Sequence, residues 1–220
     1  MHIAENILKR SLENVYFFTD MACGGKTTMA RALCEKHGFI HFNDNWHEDN
    51  FKEWLSICDE KYQPNSVKRN DITDWETYFG RTVSEFLADK KFNGADEYLE
   101  FSIIELIKLS QNNTVVADVW IEDTELLTQI SDRGRIVCLL APPELIIRDY
   151  YGRDDHREFY ECIMRLSEPE KKIETQNELF RIDAKKMYAD AKKYGLFTVE
   201  CGDCSTVEGT LKLIEAHLGL

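Results

Sequence analysis

The amino-acid sequence predicts an α/β fold in which helices cover both faces of a parallel sheet. Five short apolar runs, rich in β-branched or aromatic residues, recur along the chain with helical patterns between them. The runs are mostly continuous rather than alternating, which is typical of strands that are buried on both faces. They occupy residues 15–19, 39–43, 114–120, 136–141 and 196–200.

Length and composition restrict the class of protein. With 220 residues and no repeat or low-complexity linker, the sequence predicts a single domain, 1–220, in which segment 44–113 forms an inserted helical region. The net charge of −13 argues against passive binding to nucleic acid or to an anionic membrane. No run approaches the roughly 20 apolar residues of a membrane span. Seven scattered cysteines predict a reduced, cytoplasmic protein, and nothing indicates an oligomeric state.

Helical patterns fill the intervals between the strands. The helix after the first strand is expected to bury one apolar face and to end at Gly38. A single helix is predicted across 74–90, where apolar residues recur every three or four positions. A long charged helical region, broken near Pro169, is predicted from about 144 to 194. Ser205 and Glu208 have the spacing of a capping box and predict the start of the last helix.

The stretch FFTDMACGGKTT, residues 17–28, contains most of the phosphate-loop pattern G-x-x-x-x-G-K-[ST]. It leaves a predicted strand and opens a predicted helix, which is the context that such a loop requires. Glycines let the backbone approach a phosphate closely, and a helix start presents N–H groups and a positive dipole end to the anion. The residues predicted to bind nucleotide phosphates are Ala22, Cys23, Gly24, Gly25, Lys26, Thr27 and Thr28.

Asp20 stands where the pattern has its first glycine. A carboxylate about 4 Å from a phosphate charge costs about 1 kcal/mol even in water-like surroundings, so we expect this side chain to point away from the ligand. Asp20 weakens the motif without abolishing it, and the alternative, a Gly-Gly turn between a strand and a helix, is disfavoured by this context.

The loop, its place after a first strand and the chain length resemble the P-loop small-molecule kinases. That group includes the nucleoside monophosphate kinases, shikimate kinase, gluconate kinase and chloramphenicol phosphotransferase. The resemblance covers the whole chain, with the loop as its specific element, and implies a three-layer P-loop NTPase fold with strand order 2-3-1-4-5. It also implies ATP and Mg²⁺ as cofactors and a lid at about 148–168. Lys26 would reach the β- and γ-phosphates, and the Thr27 hydroxyl would bind Mg²⁺.

Two carboxylates are candidates for the remaining chemistry. The resemblance places Asp44 after the second strand, beside the acceptor hydroxyl, in a stretch similar to the D-x-x-H region of gluconate kinase; the alternative is a helix N-cap. Asp118 ends an apolar run and resembles a Walker B carboxylate that supports Mg²⁺, because a carboxylate in such a strand is costly unless paired or metal-linked. The alternative is that Asp118 caps the next turn. Glu122 and Asp123 lie just beyond it and could replace Asp118 as the carboxylate that supports Mg²⁺.

Four arginines recur after the fourth strand of this acidic chain: Arg148, Arg153, Arg157 and Arg165. Arg153 and Arg157 are predicted to lie one helical turn apart and to face the same way. The resemblance makes them lid residues that close over the transferring phosphoryl group, with Arg148 against the nucleotide base. The alternative is ion pairing with neighbouring carboxylates on a solvated face.

The acceptor pocket is expected within 62–113, where aromatic and cationic residues are mixed: Arg69, Trp75, Tyr78, Phe79 and Arg81. For the aromatic residues, ordinary core packing is the favoured interpretation. Cys201 and Cys204 form a C-x-x-C that lacks the second pair of a structural zinc site, so we interpret it as incidental.

The sequence therefore predicts ATP- and Mg²⁺-dependent phosphoryl transfer to a small-molecule acceptor such as a nucleotide, a nucleoside or a sugar-like alcohol. The expected roles are catalysis for Lys26, Asp44, Arg153 and Arg157, metal binding for Thr27 and Asp118, and nucleotide binding for Arg148. Two alternatives stay open: a nucleotide-binding protein without kinase activity, in which Asp20 marks a decayed site, and an ATPase. A guanine-specific N-K-x-D sequence is absent, which disfavours a GTPase.

Overall fold

The computed structural model contains one five-stranded parallel sheet with the order β2-β3-β1-β4-β5, which confirms the predicted fold class and strand order. The strands are β1 (Val15–Thr19), β2 (Ile40–Asn43), β3 (Val115–Asp118), β4 (Ile136–Leu140) and β5 (Phe197–Glu200). The structure describes residues 4–19, 22–43, 56–70, 72–89, 95–121, 123–202 and 205–220.

Helices connect these strands. In chain order, the α-helices of the described residues are α1 (Glu5–Ser11), α2 (Lys26–His37), α3 (Pro64–Asn70), α4 (Trp75–Phe79), α5 (Val83–Ala88), α6 (Ala95–Ser110), α7 (Thr124–Ile130), α8 (Pro143–Asp149), α9 (Arg157–Met164), α10 (Pro169–Tyr194) and α11 (Val207–Leu218). Short 3-10 turns lie at Arg133–Arg135, Tyr150–Gly152 and Asp154–His156. No helix in the described part of the chain has both the length and the apolar character needed to cross a bilayer.

The chain divides into two compact units. The first comprises Met1–Asp44, Ser102–Pro142 and Ala184–Leu220, and the second comprises Asn45–Phe101 and Pro143–Asp183. All five strands belong to the first unit, whereas the described elements of the second unit are helical. Acceptor binding and lid closure by the inserted helices stay predictions.

The core of the first unit explains why the strands are continuous apolar runs. Every residue of β3 and of β4 is buried. On one side of the sheet, a cluster joins the strands to α2 and α11 through Phe18, Met29, Ala30, Leu33, Cys34, Val116, Val137, Leu139, Val199 and Ile214. The predicted apolar face of α2 is thus confirmed, and so is the end of that helix at Gly38, which adopts a left-handed conformation at φ 71°.

The prediction of one helix across 74–90 is wrong, because the helix is interrupted after Phe79. Gly80 ends α4, and a Cβ added there would lie 2.9 Å from the carbonyl oxygen of Glu76. A new helix, α5, then starts with a capping box formed by Thr82 and Glu85. The apolar spacing of the sequence continues through the break, so periodicity alone did not reveal it.

The predicted capping box of the last helix is also wrong. Thr206 is the N-cap of α11, and its hydroxyl accepts a hydrogen bond from the Gly209 N–H at 3.1 Å. The hydroxyl of Ser205 instead accepts a hydrogen bond from the Gly202 N–H at 3.0 Å in the preceding turn. Both residues are good caps, and the turn geometry selects the second one.

Aromatic packing organises the second unit. The buried Phe79 ring lies 5.8 Å from the Trp75 ring and 5.3 Å from the Phe159 ring, measured between centroids. The Arg81 guanidinium lies over the Tyr78 and Phe86 rings, at 4.4 and 3.9 Å. These contacts fit the core-packing interpretation of the aromatic residues. The side chain of Arg69 lies outside the described residues.

A polar network in the second unit connects α4 to the start of α10. The Glu76 carboxylate accepts hydrogen bonds from Lys172 Nζ at 2.7 Å, from the Ser167 N–H at 3.0 Å and from the Ser167 hydroxyl. The Lys172 side chain is only 7% exposed and also donates to the Ser167 carbonyl at 2.6 Å. Hydrogen bonds from Lys172 and Ser167 lower the pKa of Glu76 from its usual 4.5 to about 2.

Replacing Glu76 with Gln should therefore remove a pH-dependent part of the stability. The pKa of Glu76 is lower in the folded chain than in the unfolded chain, so its contribution is complete above pH 4.5 and is lost as the pH falls towards 2. In urea unfolding, we expect the wild type to have a larger free energy of unfolding than Glu76→Gln at neutral pH. This difference should shrink as the pH falls from 4.5 towards 2. Glu170→Gln, an exposed carboxylate of α10, is the control, and an unchanged difference at acidic pH would contradict the role of Glu76.

Candidate functional site

Three structural elements of the first unit converge at one edge of the sheet. Because the strands are parallel, their carboxyl ends lie at the same edge. Asp118, the last residue of β3, lies opposite Asn43 of β2 and opposite Phe18 of β1 in the strand register. Helix α2 follows β1 in the chain and begins near this edge, because its Thr27 contacts Asp118.

The backbone of this loop adopts two left-handed conformations. Cys23 has φ 66° and Gly25 has φ 80°. The left-handed conformation costs glycine little conformational free energy, whereas it costs a residue with a side chain, such as Cys23, about 1–2 kcal/mol. The first hydrogen bond within α2 runs from the Met29 N–H to the Gly25 carbonyl at 2.9 Å. The N–H groups of the preceding residues thus stand at the helix start, where an anion is stabilised.

A hydrogen bond joins the loop to the end of β3. The Thr27 hydroxyl donates to Oδ2 of Asp118 at 2.6 Å, and the Asn43 side-chain amide donates to the same oxygen at 3.1 Å. Asp118 is only 3% exposed. The carboxylate is therefore held in a defined orientation beside the start of α2.

The surroundings of Asp118 fit a bound cation. Among the described residues, no Lys or Arg side chain forms an ion pair with Asp118, and Nε2 of His41 lies 3.6 Å from Oδ2, beyond hydrogen-bond distance. A buried carboxylate is costly without a counter-charge. The hydroxyl of Thr27 and the carboxylate are both oxygen ligands, which Mg²⁺ prefers.

The described residues do not form a complete metal cage. Within the described ranges, no group of three or more His, Cys, Asp and Glu side chains is placed to hold a metal ion. Mg²⁺ bound with nucleotides typically uses one or two protein ligands, together with water and phosphate oxygens. Thr27 and Asp118 satisfy that smaller requirement.

The structure brings together several of the predicted site residues. Gly24, Gly25, Lys26 and Thr27 lie in the loop and the first turn of α2, and Asp118 contacts this turn through Thr27. Ala22 and Cys23 form the turn before them, and Thr28 is exposed on α2. The predictions for Asp20, Asp44 and Glu122 fall outside the described residues, and Asp123 caps α7 by accepting a hydrogen bond from the Leu126 N–H at 2.9 Å.

The arginines belong to the second unit. The expectation that Arg153 and Arg157 lie on one helix is wrong, because Arg153 is extended (φ −75°, ψ 143°), a 3-10 turn follows, and Arg157 then starts α9. Arg148 pairs with Asp149 through two contacts of 2.6 and 2.7 Å. Arg157 and Arg165 both approach Glu161, at 4.0 and 3.3 Å. These exposed pairs are weak, so they do not prevent the arginines from binding another anion.

Three neighbours of the site are not among the residues predicted from the sequence. His41 and Asn43 are two residues apart on β2, so both side chains project from the same face of the strand, towards Asp118. Polar residues at alternate positions of an otherwise apolar strand were the available signal. Cys201 is the third, since a Cβ added to Gly25 would lie 4.0 Å from its sulfur.

Comparisons with known proteins return distant structural neighbours. Neither the known family models nor the curated proteins include a match to this chain. A shikimate kinase from Bacteroides thetaiotaomicron is similar in structure, at 16% identity and a TM-score of 0.48, over 94% of this chain and 98% of that chain. A shikimate kinase from Acinetobacter baumannii in complex with shikimate is also similar, at 16% identity and a TM-score of 0.46, over 98% of this chain and 97% of that chain. A deoxyadenosine kinase from M. mycoides with bound dCTP is similar at 13% identity and a TM-score of 0.43, over 93% of this chain and 98% of that chain.

These proteins are P-loop small-molecule kinases, the class that the sequence resembles. Because their TM-scores are below 0.5 and their identities are 16% or less, these similarities assign no role to this chain. The chemistry of the site therefore rests on the geometry of this chain's own residues.

Replacing Gly25 with Ala should affect both stability and the phosphate loop, whereas Gly38→Ala should affect stability alone. Both glycines bound α2 in left-handed conformations, at φ 80° and 71°. Each alanine should lower the free energy of unfolding by about 1–2 kcal/mol. Only the alanine at position 25 adds a Cβ to the loop, so only Gly25→Ala should weaken ATP binding.

Denaturant unfolding and calorimetric titration with ATP measure the two effects separately. Equal loss of ATP binding in both variants would mean that the stability of α2, rather than the loop conformation, determines the affinity for ATP.

Proposed function

We propose that this protein is a kinase that transfers the γ-phosphoryl group of ATP to a small-molecule acceptor. The observation that carries the proposal is the 2.6 Å hydrogen bond from the Thr27 hydroxyl to the buried Asp118 carboxylate. It connects the residue that follows the loop lysine with the carboxylate that ends the neighbouring strand. A structural Gly-Gly turn has no need of such a pair.

The loop residues bind and orient the phosphates. Lys26 supplies a positive charge at the start of α2, where the helix dipole also favours an anion. The backbone N–H groups from Gly24 to Thr28 donate to phosphate oxygens. Together these groups hold the γ-phosphoryl group in place, which is the main requirement for this type of transfer.

Thr27 and Asp118 are the residues that would hold Mg²⁺. The ion, when bound, neutralises charge on the β- and γ-phosphate oxygens. Asp118 is suited to this task because it is buried and oriented by two hydrogen bonds, so the carboxylate needs little rearrangement to bind.

Asp44 and the arginines of the second unit complete the proposal. Asp44 directly follows Asn43, the last residue of β2, and accepts the proton of the acceptor hydroxyl as that oxygen attacks the γ-phosphorus. The bond between the γ-phosphorus and the bridging oxygen breaks, and ADP leaves. Arg153 and Arg157 neutralise the charge that spreads over the transferring group, and Arg148 contacts the nucleotide base. The acceptor is a nucleotide, a nucleoside or a sugar-like alcohol.

Substituting Lys26 with Ala should weaken ATP binding in the presence of Mg²⁺ by about ten- to hundredfold, because a charged hydrogen bond to phosphate contributes about 1.5–3 kcal/mol. Isothermal titration calorimetry on the wild type and on Lys26→Ala measures the effect. Lys212→Ala removes an exposed lysine of α11 and is the control.

The result decides between a nucleotide site and a turn. ATP binding that depends on Lys26 would support the site and would justify screening acceptors by ADP release. Absent binding, or binding equally strong in Lys26→Ala, would mean that the loop is a structural turn, and the kinase proposal would fail.

Substituting Asp44 with Asn should separate transfer from binding. We expect the transfer rate to an active acceptor to fall by about 10²–10⁴-fold, since the general base is lost. ATP affinity should stay near that of the wild type, because the phosphate loop is intact. A nucleotide-binding protein without kinase activity would show no transfer in either protein and no response to this substitution.

A further inference from the structure

Asn43 holds a specific position relative to the candidate metal ligand. It is the last residue of β2 and lies opposite Asp118 in the register of the parallel strands. Its side-chain nitrogen donates to Oδ2 of Asp118 at 3.1 Å, and the Thr27 hydroxyl donates to that same oxygen at 2.6 Å. Two donors from two different elements, β2 and α2, thus meet at one oxygen of a buried carboxylate.

This arrangement distinguishes the two oxygens of Asp118. Two hydrogen bonds from different directions restrict rotation of the carboxylate about its terminal torsion, which is otherwise broad. Among the described residues, none donates a hydrogen bond to Oδ1. Oδ1 is therefore the oxygen left for an ion or for a water bound to that ion.

The chemistry of an amide suits this task. An ammonium or guanidinium group at the same place would neutralise the carboxylate and compete with a cation, and a second carboxylate would repel Asp118. The neutral amide of Asn43 donates a hydrogen bond and leaves the negative charge available. His41 does not take this role, since its Nε2 lies 3.6 Å from Oδ2.

We propose that Asn43 is a positioning residue that orients Asp118 for Mg²⁺ and thereby sets the Mg²⁺ affinity of the site. The inference rests on the proposed function and adds a residue on β2 to the two that would contact the ion. Outer-shell partners of metal ligands typically change metal affinity by 10–100-fold when they are removed.

The test replaces Asn43 with Leu, which has a similar branched shape but donates no hydrogen bond. ATP affinity is measured by calorimetry with excess EDTA and then over a series of Mg²⁺ concentrations. We expect the Mg²⁺ concentration that gives half of the affinity gain to rise by about tenfold. ATP affinity in EDTA should not change, because the phosphate loop is untouched.

Asn14→Leu is the matched control. The Asn14 amide donates to the Ser110 carbonyl at 3.2 Å and precedes β1, at the amino edge of the sheet. Its removal should lower stability without changing the Mg²⁺ dependence. An equal shift in both variants would mean that amide loss acts through general destabilisation, and the proposal would be wrong.

A double-mutant cycle tests whether Asn43 acts through Asp118. In an Asp118→Ala background, Asn43→Leu should produce no further change in the Mg²⁺ dependence. Independent, additive effects would overturn the proposal, and so would an unchanged Mg²⁺ dependence in the single variant. If the wild type shows Lys26-dependent binding of ATP with Mg²⁺ and Asn43→Leu matches it, the positioning role alone fails. If the wild type binds no ATP, the proposed function fails as well.

Discussion

Strands β3 and β4 are buried along their whole length, so polar chemistry on them is confined to the strand ends, and this constraint organises the first unit. Each residue of β3 is buried, including its terminal Asp118, so that carboxylate must be satisfied by groups that reach it along the edge. Thr27 arrives from α2 and Asn43 from β2. The strand order matters here, because β3 is flanked by β1 and β2, whose carboxyl ends deliver both donors.

Much of this fold was predictable because its signals are local. Continuous apolar runs located all five strands, and the Gly-Lys-Thr sequence after the first run indicated the loop and α2. The strand order came from a resemblance rather than from local signals. The alternating polar residues of β2 were a local signal for Asn43, but its contact with Asp118 depends on a register between β2 and β3 that no local pattern encodes.

The errors have a common physical origin in backbone geometry. Gly80 ends a helix whose apolar spacing continues, and a capping box at Thr82 starts the next helix two residues later. Arg153 and Arg157 have helical spacing, but an extended residue and a 3-10 turn separate them. In the second unit, Lys172 at the start of α10 donates a hydrogen bond to Glu76 of α4. The two residues are far apart in the chain, so no local sequence pattern indicates their contact.

Helix α2 has a fixed length, since left-handed glycines bound it at both ends. Its first turn supplies Thr27 to the site, and its next turns supply Met29 and Leu33 to the core. Inserting one residue between Thr27 and Met29 would rotate the site residue relative to the core residues by about 100° around the helix axis. The site and the core therefore share one helical phase, and a length change that keeps both in place must lie beyond Gly38.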